Sequence, residues 1–169
     1  MDVVVRRARA EEAEALTGLV MRAKASWGYS AGFMDACRAE LTMTPAKLAD
    51  WTVWAAELDG RLAGLIALSL DGERAELEEF FVEPQLQGRG VGAALMGVFL
   101  DACRAAAATV VGVDADPNAE PIYARFGFVT VGRSPSASIP GRMLPRMELR
   151  LPPPAGGEAH TIRAPSLPQ

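Results

Sequence analysis

Two Asp-Gly pairs divide the apolar middle of this sequence and constrain its fold more than any other feature. Asp59-Gly60 separates the apolar runs at residues 52–58 and 61–70, and Asp71-Gly72 separates the second run from residues 75–82. An Asp-Gly pair between two strand-like runs is typical of a tight hairpin turn. The middle of the chain is therefore predicted to fold as three antiparallel strands in a meander.

The segments on either side of this meander predict further helices and strands. Before it, a strand at residues 3–5 precedes amphipathic helices at residues 10–25 and 30–41 and a short helix that begins at Thr44-Pro45. After it, the predicted elements are a helix at 90–107, a strand at 109–113, a short helix at 118–126 and closing strands at 127–131 and 146–151. This order favours one α/β domain over residues 1–151, with helices on both faces of a mixed sheet. Residues 152–169 are rich in Pro and Gly and are predicted to form a C-terminal tail.

Composition excludes several classes of function. The net charge of −4 and the isoelectric point of about 5.1 argue against a nucleic-acid-binding protein, which would present a basic face. The single histidine, His160, lies in the predicted tail, and the two cysteines show no metal-ligand spacing, so we expect neither a metal site nor Ser-His-Asp chemistry. No segment resembles a signal peptide or is long enough to span a membrane. These observations predict a cytoplasmic globular protein.

Three glycines at alternate positions follow the third strand of the meander, in Gln87-Gly88-Arg89-Gly90-Val91-Gly92-Ala93. Glycine allows the backbone to approach a ligand closely, and the helix that begins here presents unpaired N–H groups to a phosphate or pyrophosphate. The GKS or GKT of a nucleotide-triphosphate P-loop is missing. A nicotinamide-dependent oxidoreductase is also disfavoured, because its glycines would follow the first strand of a parallel βαβ unit.

Two motifs resemble those of the GCN5-related N-acetyltransferases (GNAT). The acetyl-CoA loop of that family, Gln/Arg-x-x-Gly-x-Gly/Ala, is matched by residues 87–92, and the Val-x-Pro that precedes it in many members is Val82-Glu83-Pro84. Asn118, Tyr123 and Gly127-Phe128 match a second family motif. The resemblance covers residues 3–150. It implies a GNAT-like fold and the direct transfer of acetyl from acetyl-CoA to an amine within a ternary complex, and a homodimer is common in the family.

The resemblance also implies roles for particular residues. The loop amides would hold the CoA pyrophosphate, and the backbone of Phe81 and Val82, together with Asn118, would bind the pantetheine arm. Tyr123 occupies the position of the general acid, which would protonate the departing CoA thiolate. The residues expected to bind the donor are Phe81, Val82, Gln87, Gly88, Arg89, Gly90, Val91, Gly92, Ala93 and Asn118.

An acceptor amine would need a general base, because an alkyl amine is mostly protonated at pH 7. Three glutamates, Glu76, Glu78 and Glu79, lie on the strand before the loop. Strict alternation would place Glu76, Glu78, Phe80 and Val82 on one face and Leu77, Glu79 and Phe81 on the other. Glu78 is the preferred base because it would share a face with Val82, nearest the expected thioester. A solvated acidic strand face is the alternative interpretation.

The acceptor side is less constrained. Trp27 and Tyr29 are expected to face the acceptor, and Arg142, in the loop at 136–142, would either bind an acceptor carboxylate or phosphate or lie on the surface. The acidic charge and the aromatic residues favour a small-molecule amine, while a polyamine, an antibiotic or a protein amine stays open. The alternative function is a non-catalytic acyl-CoA-binding or regulatory module on the same fold.

Overall fold

A computed structural model of the chain describes residues 2–153. Within this range seven strands form one sheet: β1 (Val3–Arg7), β2 (Thr52–Leu58), β3 (Arg61–Asp71), β4 (Arg74–Val82), β5 (Val110–Asp114), β6 (Val129–Pro135) and β7 (Met143–Arg150). The α-helices are α1 (Ala13–Ala25), α2 (Ala31–Leu41), α3 (Pro45–Asp50), α4 (Val91–Ala105) and α5 (Glu120–Arg125). Residues 154–169 of the predicted tail lie outside the described part of the chain.

The sheet is mixed, with the strand order β1-β2-β3-β4-β5-β7-β6. Strands β1 to β4 are antiparallel neighbours, and β7 lies between β5 and β6, antiparallel to both. The parallel pair is β4 and β5, and the helix α4 connects them. The α/β fold with a meander and a mixed sheet, predicted from the sequence, is confirmed.

Local signals account for the ends of several elements. At the β2–β3 turn both Asp59 and Gly60 have positive φ, as the tightest hairpin turn requires. The Ser30 side chain accepts a hydrogen bond from the backbone N–H of Phe33 at the start of α2. Thr44 accepts one from Lys47 at the start of α3, where proline occupies the first turn. Ser30 and Thr44 thus provide an acceptor for a helix N–H group that would otherwise be unpaired, and Asp-Gly adopts the dihedrals of the turn at low cost. These elements therefore begin where the sequence predicts.

Apolar clusters cover the two faces of the sheet. On one face, α4 packs on strands β1 to β4, with Phe99 and Leu95 fully buried. On the other face, α1 and α2 bury a second cluster around Leu16 and Leu19. The helices therefore lie on both faces, as predicted, and the sheet between them holds the strands that form the site.

A β-bulge in β4 corrects the strict alternation expected over residues 76–82. Ala67 of β3 pairs with Glu79, and the next residue of β3 pairs with Leu77, so Glu78 is an extra residue on β4. Leu77 consequently packs in the same cluster as Phe80 and Val82, while Phe81 packs in the opposite one. The expected grouping of Glu78 with Phe80 and Val82 by simple alternation is therefore wrong, because a bulge inserts one residue into the pattern.

The parallel strands β4 and β5 separate after a short pairing. Residues 74–76 pair with residues 110–112, and within the described part of the chain no further pair joins the two strands. From residue 77 onward, β4 keeps β3 as its partner on one edge, and no strand among residues 2–153 pairs with the other edge. The result is an opening in the middle of the sheet, between the carboxyl-terminal halves of β4 and β5.

Candidate active site

The opening between β4 and β5 is a cleft of about 480 Å³. Its walls are residues 77–82 of β4, the glycine loop with the start of α4, the end of β5, and α5. Lys24 and Trp27, at the end of α1 and just after it, also line the cleft, as does Glu40 of α2. The cleft thus joins the glycine loop to the region where acceptor-binding residues were expected.

The glycine loop forms one end of this cleft. Gly88 and Gly90 have φ values of +77° and +84°, a left-handed conformation that costs other residues about 1–2 kcal/mol. Gly90 is also the N-cap of α4, and glycine has no side chain that could accept a hydrogen bond from the first turn of the helix. Within residues 2–153 the N–H groups of this turn are therefore available to a ligand, and the helix dipole favours an anion there.

Glu79 is a buried carboxylate in the cleft wall. The residue is 8% exposed, and no hydrogen bond joins its side chain to another of residues 2–153. Burial raises the pKa of Glu79 to about 8. Lys47 and Lys24 oppose this change, while Glu40 and Glu78 reinforce it. A carboxyl group with this pKa can take up or release a proton near neutral pH.

Glu78, the base preferred from the sequence, also lines the cleft but in a different environment. It is only half-buried and accepts a hydrogen bond from the Ser69 hydroxyl at 2.5 Å. Glu76 lies farther from the cleft wall, in a paired arrangement with Arg146. Of the three glutamates, Glu79 is the one whose carboxylate has no hydrogen-bonding partner in the described structure.

Tyr123 lies on α5 with its side chain in the cleft wall. It is 6% exposed, and its ring makes edge contacts with Phe80 and Phe128 at centroid distances of 6.0 and 5.5 Å. Burial raises the pKa of Tyr123 above its ordinary value, and the charges of Glu79 and Asp116 raise it further. The phenol is therefore held in its protonated form, close enough to Glu79 to respond to its charge.

A polar network centred on Asp116 lies at the other end of the cleft. The Asp116 carboxylate accepts hydrogen bonds from Lys24 Nζ at 2.5 Å, from the Tyr29 hydroxyl at 2.8 Å and from the Asn118 backbone N–H at 2.8 Å. The side chains of Lys24 and Asp116 are 11% and 10% exposed. Burial alone would raise the pKa of Asp116, but the hydrogen bond and charge of Lys24 hold that pKa below its usual value.

The residues predicted to face the acceptor occupy different places in this region. Trp27 lines the cleft and is 38% exposed. Tyr29 is half-buried with its hydroxyl on Asp116, and burial followed by that contact raises the pKa of Tyr29 to about 12. Arg142 donates to the Tyr29 hydroxyl at 2.6 Å and lies 3.5 Å from Asp116. Arg142 is consequently not a free surface arginine.

Sequence reasoning missed Lys24 and Asp116. The helical spacing of α1 groups Lys24 with buried Ala23 and Val20, which is a weak signal, since most lysines at such positions extend to solvent. Asp116 directly precedes Pro117 after a strand, where its side chain caps the following turn by accepting from Asn118. That local role predicts a turn and not a buried ion pair.

The family model for the acetyltransferase (GNAT) domain matches residues 23–151. The chain belongs to the GNAT acetyltransferase family. This assignment confirms the family inferred from the two motifs and makes the protein an acyltransferase. No protein of curated function matches the sequence.

Solved structures share the fold at low sequence identity. The PaiA N-acetyltransferase of Thermoplasma acidophilum, in complex with coenzyme A, has a TM-score of 0.75 and 16% identity over 89% of this chain and all of that one. A GCN5-related N-acetyltransferase of Rhodopseudomonas palustris has a TM-score of 0.73 and 24% identity over 89% and 97% of the two chains. The ribosomal-protein-S18-alanine N-acetyltransferase of Escherichia coli has a TM-score of 0.67 and 17% identity, over 94% and 98%. At these identities the likeness establishes the fold and leaves the acceptor open.

No cluster of three or more His, Cys, Asp or Glu side chains among residues 2–153 has the arrangement of a metal site. No helix in the same range combines the length and the apolar content that a membrane span requires.

Proposed function

We propose that this protein transfers acetyl from acetyl-CoA directly to the primary amine of a small molecule. The observation that carries the proposal is the cleft between β4 and β5, which has an uncapped helix terminus at one end and Glu79 and Tyr123 along its wall. An end that favours anions suits the phosphates of acetyl-CoA. A buried carboxylate can accept the proton of the amine, and a protonated phenol can donate a proton to the leaving thiolate.

The donor would lie along the residues that the motifs indicate. The pyrophosphate would meet the N–H groups of residues 87–93, where Gly88 and Gly90 leave the backbone uncovered. The pantetheine arm would follow β4 at Phe81 and Val82, on the edge that faces away from β3. No strand pairs with that edge in the described structure. Asn118 follows β5 and lies between Asp116 and Ala119 in the sequence, two residues that line the cleft.

We infer that Glu79 acts as the general base in preference to Glu78. In the reaction the amine nitrogen bonds to the acetyl carbon, the thioester C–S bond breaks, and a proton leaves the ammonium nitrogen. Glu79 has no competing hydrogen bond in the described structure, and its pKa of about 8 is suited to accept that proton, whereas Glu78 is already bonded to Ser69. Glu78 remains the adjacent carboxylate that strengthens the proton affinity of Glu79.

We infer that Tyr123 donates a proton to the leaving thiolate. Its phenol lines the same cleft as Glu79 and is kept protonated by burial, so the proton is present when the C–S bond breaks. The aromatic contacts with Phe80 and Phe128 fix the direction of the ring. A backbone N–H near Val82 would stabilise the oxyanion of the tetrahedral intermediate.

The acceptor would enter on the side of α1 and α2. Trp27 is exposed at the edge of the cleft there, and Glu40 adds a third carboxylate to the pair on β4. This arrangement favours an acceptor that arrives as a cation, because the carboxylates of Glu40, Glu78 and Glu79 all line the cleft. Arg142 is already paired with Asp116 and Tyr29, which weakens its expected role as an anchor for an acceptor carboxylate.

Calorimetric titration with acetyl-CoA, beside NADH and ATP, tests the donor. We expect binding of acetyl-CoA alone, followed by thiol release when a panel of small amines is added. Tyr123→Phe should retain acetyl-CoA binding and lower the rate of thiol release by about 10²-fold or more, because only the proton donor is removed. Binding without thiol release for any amine would instead indicate a non-catalytic acyl-CoA-binding module, and no binding of acetyl-CoA would refute the proposal.

A further inference from the structure

The side-chain amide of Asn118 is held in one orientation. Its Nδ2 lies 3.0 Å from Asp116 Oδ1 and 3.0 Å from the Tyr29 hydroxyl oxygen. An ionised carboxylate can only accept hydrogen bonds, so the nitrogen of the amide, and not its oxygen, must face Asp116. The pairing with Lys24 keeps Asp116 ionised. The Oδ1 atom of Asn118 is therefore turned away from the network.

Tyr29 is itself fixed from several directions. Its hydroxyl donates to Asp116 at 2.8 Å and accepts from Arg142 at 2.6 Å as well as from Asn118. Its ring stacks on Phe33 with a centroid distance of 4.0 Å and an interplanar angle of 9°. The guanidinium of Arg142 lies over both rings, 5.3 and 4.9 Å from their centroids. A hydroxyl with all of its hydrogen-bonding positions occupied cannot rotate freely, so it defines where Nδ2 of Asn118 lies.

These contacts join segments that are far apart in the sequence. Tyr29 lies in the loop after α1, on the acceptor side, and Arg142 lies in the loop between β6 and β7. Asn118 lies after β5, on the loop that borders the donor cleft, and is exposed. The network thus connects the expected acceptor side with a residue on the donor side.

We propose that Tyr29 and Asp116 are positioning residues that hold the oxygen of the Asn118 amide towards the pantetheine arm of the donor. In that orientation Asn118 accepts a hydrogen bond from a pantetheine N–H and does not donate one. Tyr29, a residue of the acceptor side, then contributes to donor affinity without touching the donor. This inference rests on the proposed function, because it requires acetyl-CoA as the ligand of the cleft.

Tyr29→Phe tests the inference, since phenylalanine keeps the ring on Phe33 and removes only the hydroxyl. We expect the Kd for CoA to rise about fivefold to tenfold, the loss that one mispositioned hydrogen bond produces. Adenosine 3′,5′-bisphosphate lacks the pantetheine arm and is the control ligand, and its Kd should not change. A variant that had merely disturbed the fold of the cleft would weaken both ligands.

A double-mutant cycle with Asn118→Ala determines whether Tyr29 acts through Asn118. If it does, Tyr29→Phe has no further effect on the Kd for CoA once Asn118 is alanine. Asp116→Asn is an independent variant, because an amide at that position no longer requires the nitrogen of Asn118 to face it. It should also weaken CoA and spare the bisphosphate.

The outcomes separate this inference from the proposed function. If wild-type protein binds CoA, an unchanged Kd in Tyr29→Phe or additive losses in the cycle would overturn the positioning role of Tyr29, and an unchanged Kd in Asp116→Asn would overturn that of Asp116. Wild-type protein that binds neither CoA nor acetyl-CoA would overturn both. Circular dichroism and a melting curve for each variant establish that it is folded.

Discussion

Glu79→Gln should remove catalysis and at the same time abolish a loss of stability that the wild-type protein undergoes as the pH rises from 5 to 8. The carboxylate has an ordinary pKa of 4.5 and a pKa of about 8 in the folded protein, because burial disfavours its charge. A raised pKa in the folded state means that folding takes up a proton between these two values. The wild-type protein is then most stable relative to the variant below pH 4.5, and this advantage declines as the pH rises through 8.

The size of the effect follows from linkage. Each unit of pKa difference corresponds to about 1.4 kcal/mol. Ionisation of Glu79 in the unfolded chain, while the folded protein keeps it protonated, should lower the free energy of unfolding by about 3 to 4 kcal/mol between pH 5 and pH 8. Glutamine cannot ionise, so the free energy of unfolding of the variant does not fall for this reason. The cost of burying its amide is nearly independent of pH, so it shifts the whole curve of the variant and leaves the difference in slope intact.

Urea unfolding at several pH values between 5 and 8, followed by circular dichroism, measures this difference. The free energy of unfolding of wild-type protein should fall relative to that of Glu79→Gln as the pH rises. Glu78→Gln is the matched control, because it removes a carboxylate from the adjacent position and leaves Glu79 to ionise, so most of the wild-type slope should persist. Parallel pH dependences for wild-type protein and Glu79→Gln would refute the assignment of a strongly raised pKa to Glu79.

Two further predictions concern glycines and use other glycines as controls. Gly90→Ala should weaken acetyl-CoA binding in calorimetry at least tenfold, since φ is +84° at the start of α4, whereas Gly60→Ala, at φ +75° in an exposed turn, should cost similar stability and leave binding unchanged. Gly64→Ala should lower the free energy of unfolding by about 1–3 kcal/mol, because a Cβ there would lie 2.9 Å from the Phe81 carbonyl oxygen. Gly97→Ala, exposed on α4 with no atom within 4 Å of the added carbon, should be stabilising by up to about 1 kcal/mol in the same urea titration, and equal losses at both sites would contradict the packing argument.

Most of the fold could be predicted because its signals are local. The Asp-Gly turns and the caps at Ser30 and Thr44 act within three or four residues, so the sequence shows them directly. The closing strands were placed less well, since β6 extends to Pro135 and β7 begins at Met143. β6 is the edge strand, exposed at all but one of its positions, and it lacks the apolar alternation by which a strand is recognised.

The candidate site was predicted in part, for a physical reason. Its donor end is a contiguous motif, and the sequence identifies it without tertiary information. The contacts of Tyr29 with Asp116 and with Arg142 span 87 and 113 residues, and no local pattern reports which distant side chains meet. The bulge at Glu78 could not be predicted either, because the sequence around the three neighbouring glutamates contains no signal for an inserted residue.

The bulge and the separation of the two parallel strands together explain why a carboxylate with a raised pKa occurs at Glu79. The last pair between β4 and β5 joins Glu76 to Gly112, and the inserted residue, Glu78, follows two positions later. After the insertion Phe80 and Val82 pack beneath α4, while Glu79 comes under the influence of charges on α1, α2 and α3. Without the separation this part of β4 would have a strand beside it, and without the insertion Leu77 and Glu79 would share one face of the sheet. The site therefore depends on an interruption of regular sheet structure, and the folded protein loses stability above pH 5 because it keeps a proton on Glu79 that the unfolded chain releases.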